Sequence, residues 1–439
     1  MPDINTNSIT PGTADRITIL DSLRGIAVLG ILIMNIPFFG LPDPAGYNPV
    51  AMNEIGTINE KIYIIVNGYL DGTQRAIFSM LFGAGILLFV SRLEKRLKGI
   101  RPAEYFIRRQ LWLIVFGLFN AYILLWPGDI LFPYGICGII MFVFRKLSVK
   151  FLILAAGICL LLMTVRENVD LYRKKEKIEI GERVALQDSL KTTEEEKANL
   201  EEMRKMKELH TPESVRSEMK TVLKKMKGSY ADAYHYFNGL NFKIETTYSM
   251  LKIWDILIFM FLGMAFYKSG IITGNVSSKV YWILTCLGVI LGGYLSWLYI
   301  AQHSNYQYNQ FSIYKNTSFG FYEIARTFRS IGVLGIIMLI YKSGRFKWFF
   351  SLMKPVGQMA FTNYLTQSFI CNFIFLGAGL GLIGSFDRKE IYFIAIGVWV
   401  IQIIWSHIWL RYYRYGPLEW CWRSLTYWKK QPMSKTHLD

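Results

Sequence analysis

The sequence predicts an all-α polytopic membrane protein of about ten spanning helices, with a soluble helical insert between the fifth and sixth. Three observations predict it. The 439 residues are 52% hydrophobic and 15% aromatic with only 18% charged, and mean hydropathy is positive, which moves the chain out of the soluble class. Apolar residues gather into runs near the length that crosses hydrocarbon, roughly 20 residues. Lys and Arg collect in every second loop, the pattern that sets membrane orientation.

Taken in order, the segment Met1–Asp15 is polar and lacks a basic start and a small-residue cleavage site, so the first spanning helix acts as its own uncleaved signal. Spans are expected at 17–39, 73–92, 108–127, 129–146, 148–165, 251–270, 278–300, 322–342, 357–380 and 389–412. The loop after the second is basic (Arg92, Lys95, Arg96, Lys98, Arg101), as are the turn at Arg145, Lys146 and Lys150, the turn at Lys342, Arg345 and Lys347, and the tail at Lys429 and Lys430. Residues 40–60 hold no Lys or Arg. This alternation puts both termini in the cytoplasm of a plasma (inner) membrane protein.

Between 166 and 250 the chain turns polar and rich in Glu and Lys. Thr211-Pro212 is an N-cap followed by proline at the first helical position. Val215, Met219, Val222 and Met226 follow at helical spacing, one apolar stripe. Alternation places this insert outside the cytoplasm, as a helical hairpin capping the bundle or a substrate-binding domain. The chain divides accordingly into 1–165, a first membrane half; 166–250, the insert; and 251–439, a second membrane half with a cytoplasmic tail.

The net charge of +17 suggests nucleic acid in a soluble protein, but here the basic residues flank apolar segments and no nucleic-acid motif accompanies them. The five cysteines are far apart, and no pair has metal or redox spacing. No phosphate-binding glycine loop, nucleophile elbow or zinc-binding helix motif is present, and no metal is expected. Gly83 and Gly85 suit close helix packing.

Ionisable residues inside spans are costly and therefore informative. Towards the cytoplasm the sequence places Asp21 and Arg24, three apart on one helix face, with Asn363, Gln367 and His407. Asp21 and Arg24 either form a structural pair or point together at a ligand. His407 is a proton carrier or a hydrogen-bonded structural histidine. Towards the outside lie Asn35, Asp71, Arg75, Asn120, Asp129, Glu323, Arg326 and Arg329. Glu323, Arg326 and Arg329 run three apart down one helix, suited either to pairing or to recognising an anion or carbonyl.

Five ordered stretches carry a family resemblance: Leu20-Asp21-Ser22-Leu23-Arg24-Gly25-Ile26-Ala27, Ile77 to Gly85, Gly128-Asp129-Ile130-Leu131, Gly357 to Ser368, and Gly416-Pro417-Leu418-Glu419-Trp420-Cys421-Trp422-Arg423. Together they resemble the YeiB-like membrane proteins, which carry the domain of unknown function numbered 418 near the C-terminus. That family is in turn similar to the transmembrane acyltransferases, including the type 3 O-acetyltransferases, ten-helix proteins moving acetyl from cytoplasmic acyl-CoA to glycans outside. The position of that group's catalytic His falls on Asn35, which does not titrate, and Asn120 stands where YeiB-like relatives lead one to expect another His.

The resemblance implies an acyl-CoA donor and a glycan or lipid acceptor of the cell envelope. In that scheme Arg24 holds donor phosphates and Asp71, Asp129 or Glu323 takes the acceptor proton, with Asn35 at the position of the absent His. Arg329 steadies developing negative charge. The alternatives are a small-solute transporter whose two polar groups are gates of one pathway, and a non-catalytic scaffold whose ion pairs are all satisfied internally.

Overall fold

The computed structural model describes residues 17–186 and 193–435, apart from the side chains of 248–252. The stretch Met1–Asp15, expected to act without a cleavable signal, lies outside the described residues. Among those residues the secondary structure is helical, with one isolated bridge between Tyr413 and Ser434. Backbone groups in hydrocarbon must be paired within their own segment, and helices do that.

The chain runs through α1 (Thr18–Gly40), the short α2 (Asp43–Tyr47), α3 (Ile58–Tyr63) with a π-helical turn at Ile64–Leu70, and α4 (Thr73–Arg96). It continues through α5 (Arg101–Tyr122), α6 (Leu131–Val143), α7 (Val149–Ala185), α8 (Glu194–Leu209), α9 (Pro212–Met226) and α10 (Tyr230–Lys243). The second half comprises α11 (Ser249–Lys268), α12 (Ser278–Asn305), α13 (Gln310–Asn316), α14 (Tyr322–Lys342), α15 (Lys347–Gln358), α16 (Ala360–Phe375), α17 (Arg388–Tyr412) and α18 (Pro417–Tyr427).

Six helices are long and apolar enough to cross a membrane: α1, the run Ile58–Arg96, α7, α12, α14 and α17. The other four expected spans also fall on helix, with differences that have local causes. α5 opens with Arg101, Glu104, Arg108 and Arg109, and α6 is 13 residues long. The expected span 357–380 is interrupted at Met359, where α15 ends and α16 begins. Glu419 accepts from the amides of Phe361 (2.8 Å) and Thr362 (3.0 Å), and so caps that new start. The expected span 148–165 continues to Ala185, because the helix-forming Glu, Lys and Arg beyond Val165 supply no proline to stop it.

α8, α9 and α10 lie against the end of the bundle opposite its basic loops, an end hereafter called the cap. Thr193 with Glu196 and Ser229 with Asp232 form capping boxes at the starts of α8 and α10, and Thr211 caps α9. The stripe Val215, Val222 and Met226 is buried, with Met219 beside it, in one cluster with Leu32, Ile36 and Phe39 of α1. The Gly377 amide donates to the Met226 carbonyl at 2.9 Å, and Tyr230 donates its hydroxyl to the Ile123 carbonyl at 2.9 Å. α9 and α10 therefore share a core with the membrane helices. At the same end the buried Arg388 pairs with Glu54 at 2.8 Å. Burial pushes the Glu54 carboxyl up, and the Arg388 charge partly offsets that.

Among apolar helices in lipid, association rests on close packing rather than on release of water. A Cβ on Gly357 would meet the Asp21 carbonyl oxygen at 1.7 Å, so glycine there lets α15 lie on α1 beside Asp21 and Arg24. A Cβ on Gly83 would meet the Met260 carbonyl at 2.2 Å, which is the close packing expected of it, here between α4 and α11.

Candidate functional site

A cavity of about 300 Å³ opens among α1, α4, α5, α6, α16 and α18 at the basic end of the bundle. Arg24, Arg92, Arg109 and Arg423 line its outer part with Asp21 and Glu419. Phe82, Phe89, Phe106 and Leu113 line the middle, and Tyr134 and Tyr364 the deep end. The lining is thus cationic where it meets the basic loops and aromatic or aliphatic further in.

The arginines are held by different means. Arg24 donates to Asp21 at 2.8 Å, one turn earlier on α1, and its side chain keeps 29% of its surface exposed. The Arg109 guanidinium lies 3.5 Å from the Trp422 ring centre and 4.9 Å from that of Phe89. Arg423 lies 4.5 Å from the Tyr415 ring centre, with its buried Nη1 lacking a hydrogen-bond partner. Aromatic faces position a guanidinium without consuming its in-plane donors, which stay available to phosphate or carboxylate. The sequence stretch Gly416–Arg423 supplies Glu419, Trp422 and Arg423 together, because Gly416 and Pro417 start α18 under the cavity.

At the deep end, Tyr134 shares a hydrogen bond with Ser79 and donates to the Arg75 carbonyl at 3.2 Å. Tyr364 accepts the Ile130 amide at 3.1 Å, and its hydroxyl stands 3.5 Å from Asp129 Oδ1. Asp129 is buried, accepting from Asn120 Nδ2 (2.8 Å) and from the Phe132 amide at the start of α6 (2.8 Å). Gln110 also lines the cavity and leaves its Oε1 unpartnered.

The other charged residues singled out from the sequence form a separate network. Arg326 bonds to both Asp255 and Glu323, and Arg75 bonds to Asp255 at 2.8 Å. Asp71 accepts from the Tyr322 hydroxyl at 2.8 Å. Arg329 donates to Thr73 Oγ1 (2.9 Å), the Gly68 carbonyl (2.6 Å), Ser296 Oγ (2.5 Å) and the Asp71 carbonyl, which ties α14 to the break between the π-helical turn and α4. None of Asp71, Arg75, Glu323, Arg326 and Arg329 lines the cavity. The network meets the cavity where Tyr134 donates to the Arg75 carbonyl.

Asn35, on α1 two residues before Pro37, is half-buried and away from the cavity. Asn363 donates to the Val356 carbonyl (3.1 Å) and Ser406 (3.0 Å), and Gln367 to the Val28 carbonyl and Gln402, both at 3.1 Å. These two amides join α16 to α15, α17 and α1. His407 contacts the Leu352 carbonyl at 3.0 Å through Nε2, which is therefore the protonated nitrogen. Of the residues expected at the site, the structure brings Asp21 and Arg24 to the cavity and Asp129 to its deep end.

Sequence reasoning missed Arg109, Tyr134, Tyr364, Glu419 and Arg423. Arg109 was legible only as one of the basic residues flanking a span, and Tyr364, Glu419 and Arg423 as members of motifs. Asp255 was missed although a lone acid in an apolar run is itself a signal.

Residues 266–429 match the profile of the family described as protein of unknown function (DUF418). The chain is 28% identical to YxaH of Bacillus subtilis (strain 168) over 431 residues, covering 96% of this chain and 97% of that protein. It is 29% identical to YeiB of Escherichia coli (strain K12) over 427 residues, covering 94% and 96%. A 39.9 kDa protein in the amylase 3′ region of Bacillus acidopullulyticus is 25% identical over 424 residues. No solved structure matches. The similarity to YxaH and YeiB runs over nearly the whole chain, and with the domain match it supports a YeiB-like DUF418 family for this chain.

Proposed function

We propose that this protein is an acyltransferase-like membrane enzyme that takes an acyl group from a cytoplasmic acyl-CoA and passes it to a hydroxyl of a cell-envelope glycan or lipid. The observation that carries the reading is the cavity itself, with four arginines at one end and an aromatic and aliphatic interior. Such a gradient suits a donor with a polyphosphate at one end and a flexible thioester arm at the other. The basic end then faces the cytoplasm of the plasma membrane, with both termini there, about ten helices spanning and α8–α10 outside.

In this scheme Arg109 and Arg423 hold phosphate with Arg24, and Trp422 and Tyr415 fix the two guanidinium planes. Tyr364 lies between the thioester and Asp129. The acceptor oxygen bonds to the acyl carbon as the carbon–sulfur bond breaks. Its proton passes to Asp129 through Tyr364, and then to the departing thiolate. Asp71, Glu323 and Arg329, which the family resemblance offers for catalysis, serve the framework instead. A transporter has less support, since Arg75, Glu323 and Arg326 of the polar group expected to form a second gate are closed into ion pairs and Arg329 into hydrogen bonds.

Thermal unfolding of detergent-purified protein with acyl-CoA, free CoA and neither tests the reading. Both ligands should raise the midpoint, and Arg24→Ala and Arg109→Gln should each remove most of the shift. No shift with wild-type protein, or an undiminished one in both variants, overturns the donor site.

A further inference from the structure

At the cap end, three buried side chains, Asn120, Asn241 and Glu245, leave four oxygens without donors, and Asp129 bonds to the first of them. Asn120 and Asp129 come from the α5–α6 hairpin, and Asn241 and Glu245 come from α10 and the π-helical turn that follows it. Each is nearly or wholly buried, at 0%, 6%, 1% and 3% exposure respectively. The Asn241 amide nitrogen bonds to the Ala121 carbonyl, next in the chain to Asn120, and Glu245 lies one turn beyond Asn241 on the same face. Glu245 is close enough to Asp129 for their charges to repel.

The orientation of both amides is fixed by their partners. Asn120 Nδ2 faces a carboxylate and Asn241 Nδ2 faces a carbonyl, and only the nitrogen can donate to either. Their Oδ1 atoms therefore point away from these partners, and both lack a donor, as do both carboxylate oxygens of Glu245. Among the described residues, neither Glu245 nor Asp129 forms a salt bridge. Buried acceptors without donors are costly, and an uncompensated carboxylate such as Glu245 more so.

We propose that Asn120, Asp129, Asn241 and Glu245 form a binding site for a hard, oxygen-ligated cation, sodium in the first place. Carboxylates with amide carbonyls and no nitrogen or sulfur ligand are the set that hard cations take, not a transition-metal set. A bound cation would satisfy the orphaned oxygens together and tie α10 to the α5–α6 hairpin, so the cap would close on the bundle in a cation-dependent way. The inference does not rest on acyl transfer, and its readout needs no donor.

Thermal unfolding of the full-length protein in sodium, potassium or calcium chloride, against choline chloride at matched ionic strength, is the test, with isothermal titration of the wild-type protein as a second readout. A saturable rise in midpoint with at least one of these cations is expected. Its apparent affinity should fall at least tenfold in Glu245→Gln. Asn241→Ala should do the same, and carries the test if Glu245→Gln does not fold. No cation-specific rise and no heat of binding, or a rise that both variants leave intact, overturns the site.

Discussion

The hydroxyl of Tyr364 stands 3.5 Å from Asp129 Oδ1 while its ring lines the cavity, so one side chain of α16 joins the basic-end cavity to the buried acid of the α5–α6 turn. The same hydroxyl accepts the Ile130 amide at 3.1 Å. Tyr364→Phe leaves that amide without an acceptor, and an unpaired buried donor costs about 1–3 kcal/mol. Thermal unfolding should fall accordingly. Donor binding should stay within about twofold of wild type while turnover drops, because binding energy sits at the arginines.

Arg109 separates charge from stacking. Arg109→Lys keeps the charge but loses the planar fork and much of the contact with Trp422. Arg109→Gln loses the charge as well. A charge-assisted hydrogen bond contributes about 1.5–3 kcal/mol, roughly 10- to 100-fold in affinity. CoA binding by titration should therefore weaken in the order wild type, Lys, Gln.

The Asp255 network is expected to behave as a unit. Asp255→Asn leaves Arg75 without its carboxylate and Arg326 with Glu323 alone, and breaking a buried ion pair costs about 3–5 kcal/mol. Arg326→Met should be comparably harmful. The double variant should lose markedly less than the sum, and a double-mutant cycle on unfolding midpoints reads that coupling.

Two glycines give opposite expectations. Gly357→Ala drives a methyl into the Asp21 carbonyl, and overpacking of this kind costs about 1–3 kcal/mol or more. Gly397→Ala on α17 meets nothing within 4 Å. It should leave stability unchanged or raise it by about 0.5–1 kcal/mol through the stiffer helix. Side-by-side melts distinguish them.

Acid should loosen the cap before the bundle. Hydrogen bonds from the Thr193 backbone and the Ser229 side chain hold the Glu196 and Asp232 carboxyls below their ordinary values of 4.5 and 3.8. A lowered folded-state value stabilises above the unfolded one and is lost as pH falls through the folded one. The caps of α8 and α10 should thus be intact at neutral pH and weaken below those ordinary values. Amide exchange at the first turns of α8 and α10 should rise there, and Glu196→Gln with Asp232→Asn should show the raised exchange already at neutral pH.

The sequence by itself determined the helical membrane class, the start of α9 at Thr211-Pro212 with its buried stripe, and the placing of Asp21 and Arg24 on one helix face. Each rests on periodicity or spacing within one segment, which local physics fixes. Only the tertiary structure decided which charges face an opening and which are zipped together. Arg24 and Arg329 look alike along the chain, both being arginines in apolar helices. Gly357 seats α15 beside the first of them at a cavity, while Gly68, Thr73, Ser296 and Asp71 occupy all three nitrogens of the second. Asp255 and Glu245 became informative for the same reason: the partners that satisfy one and leave the other bare come from helices distant in the sequence, and no local pattern encodes that meeting.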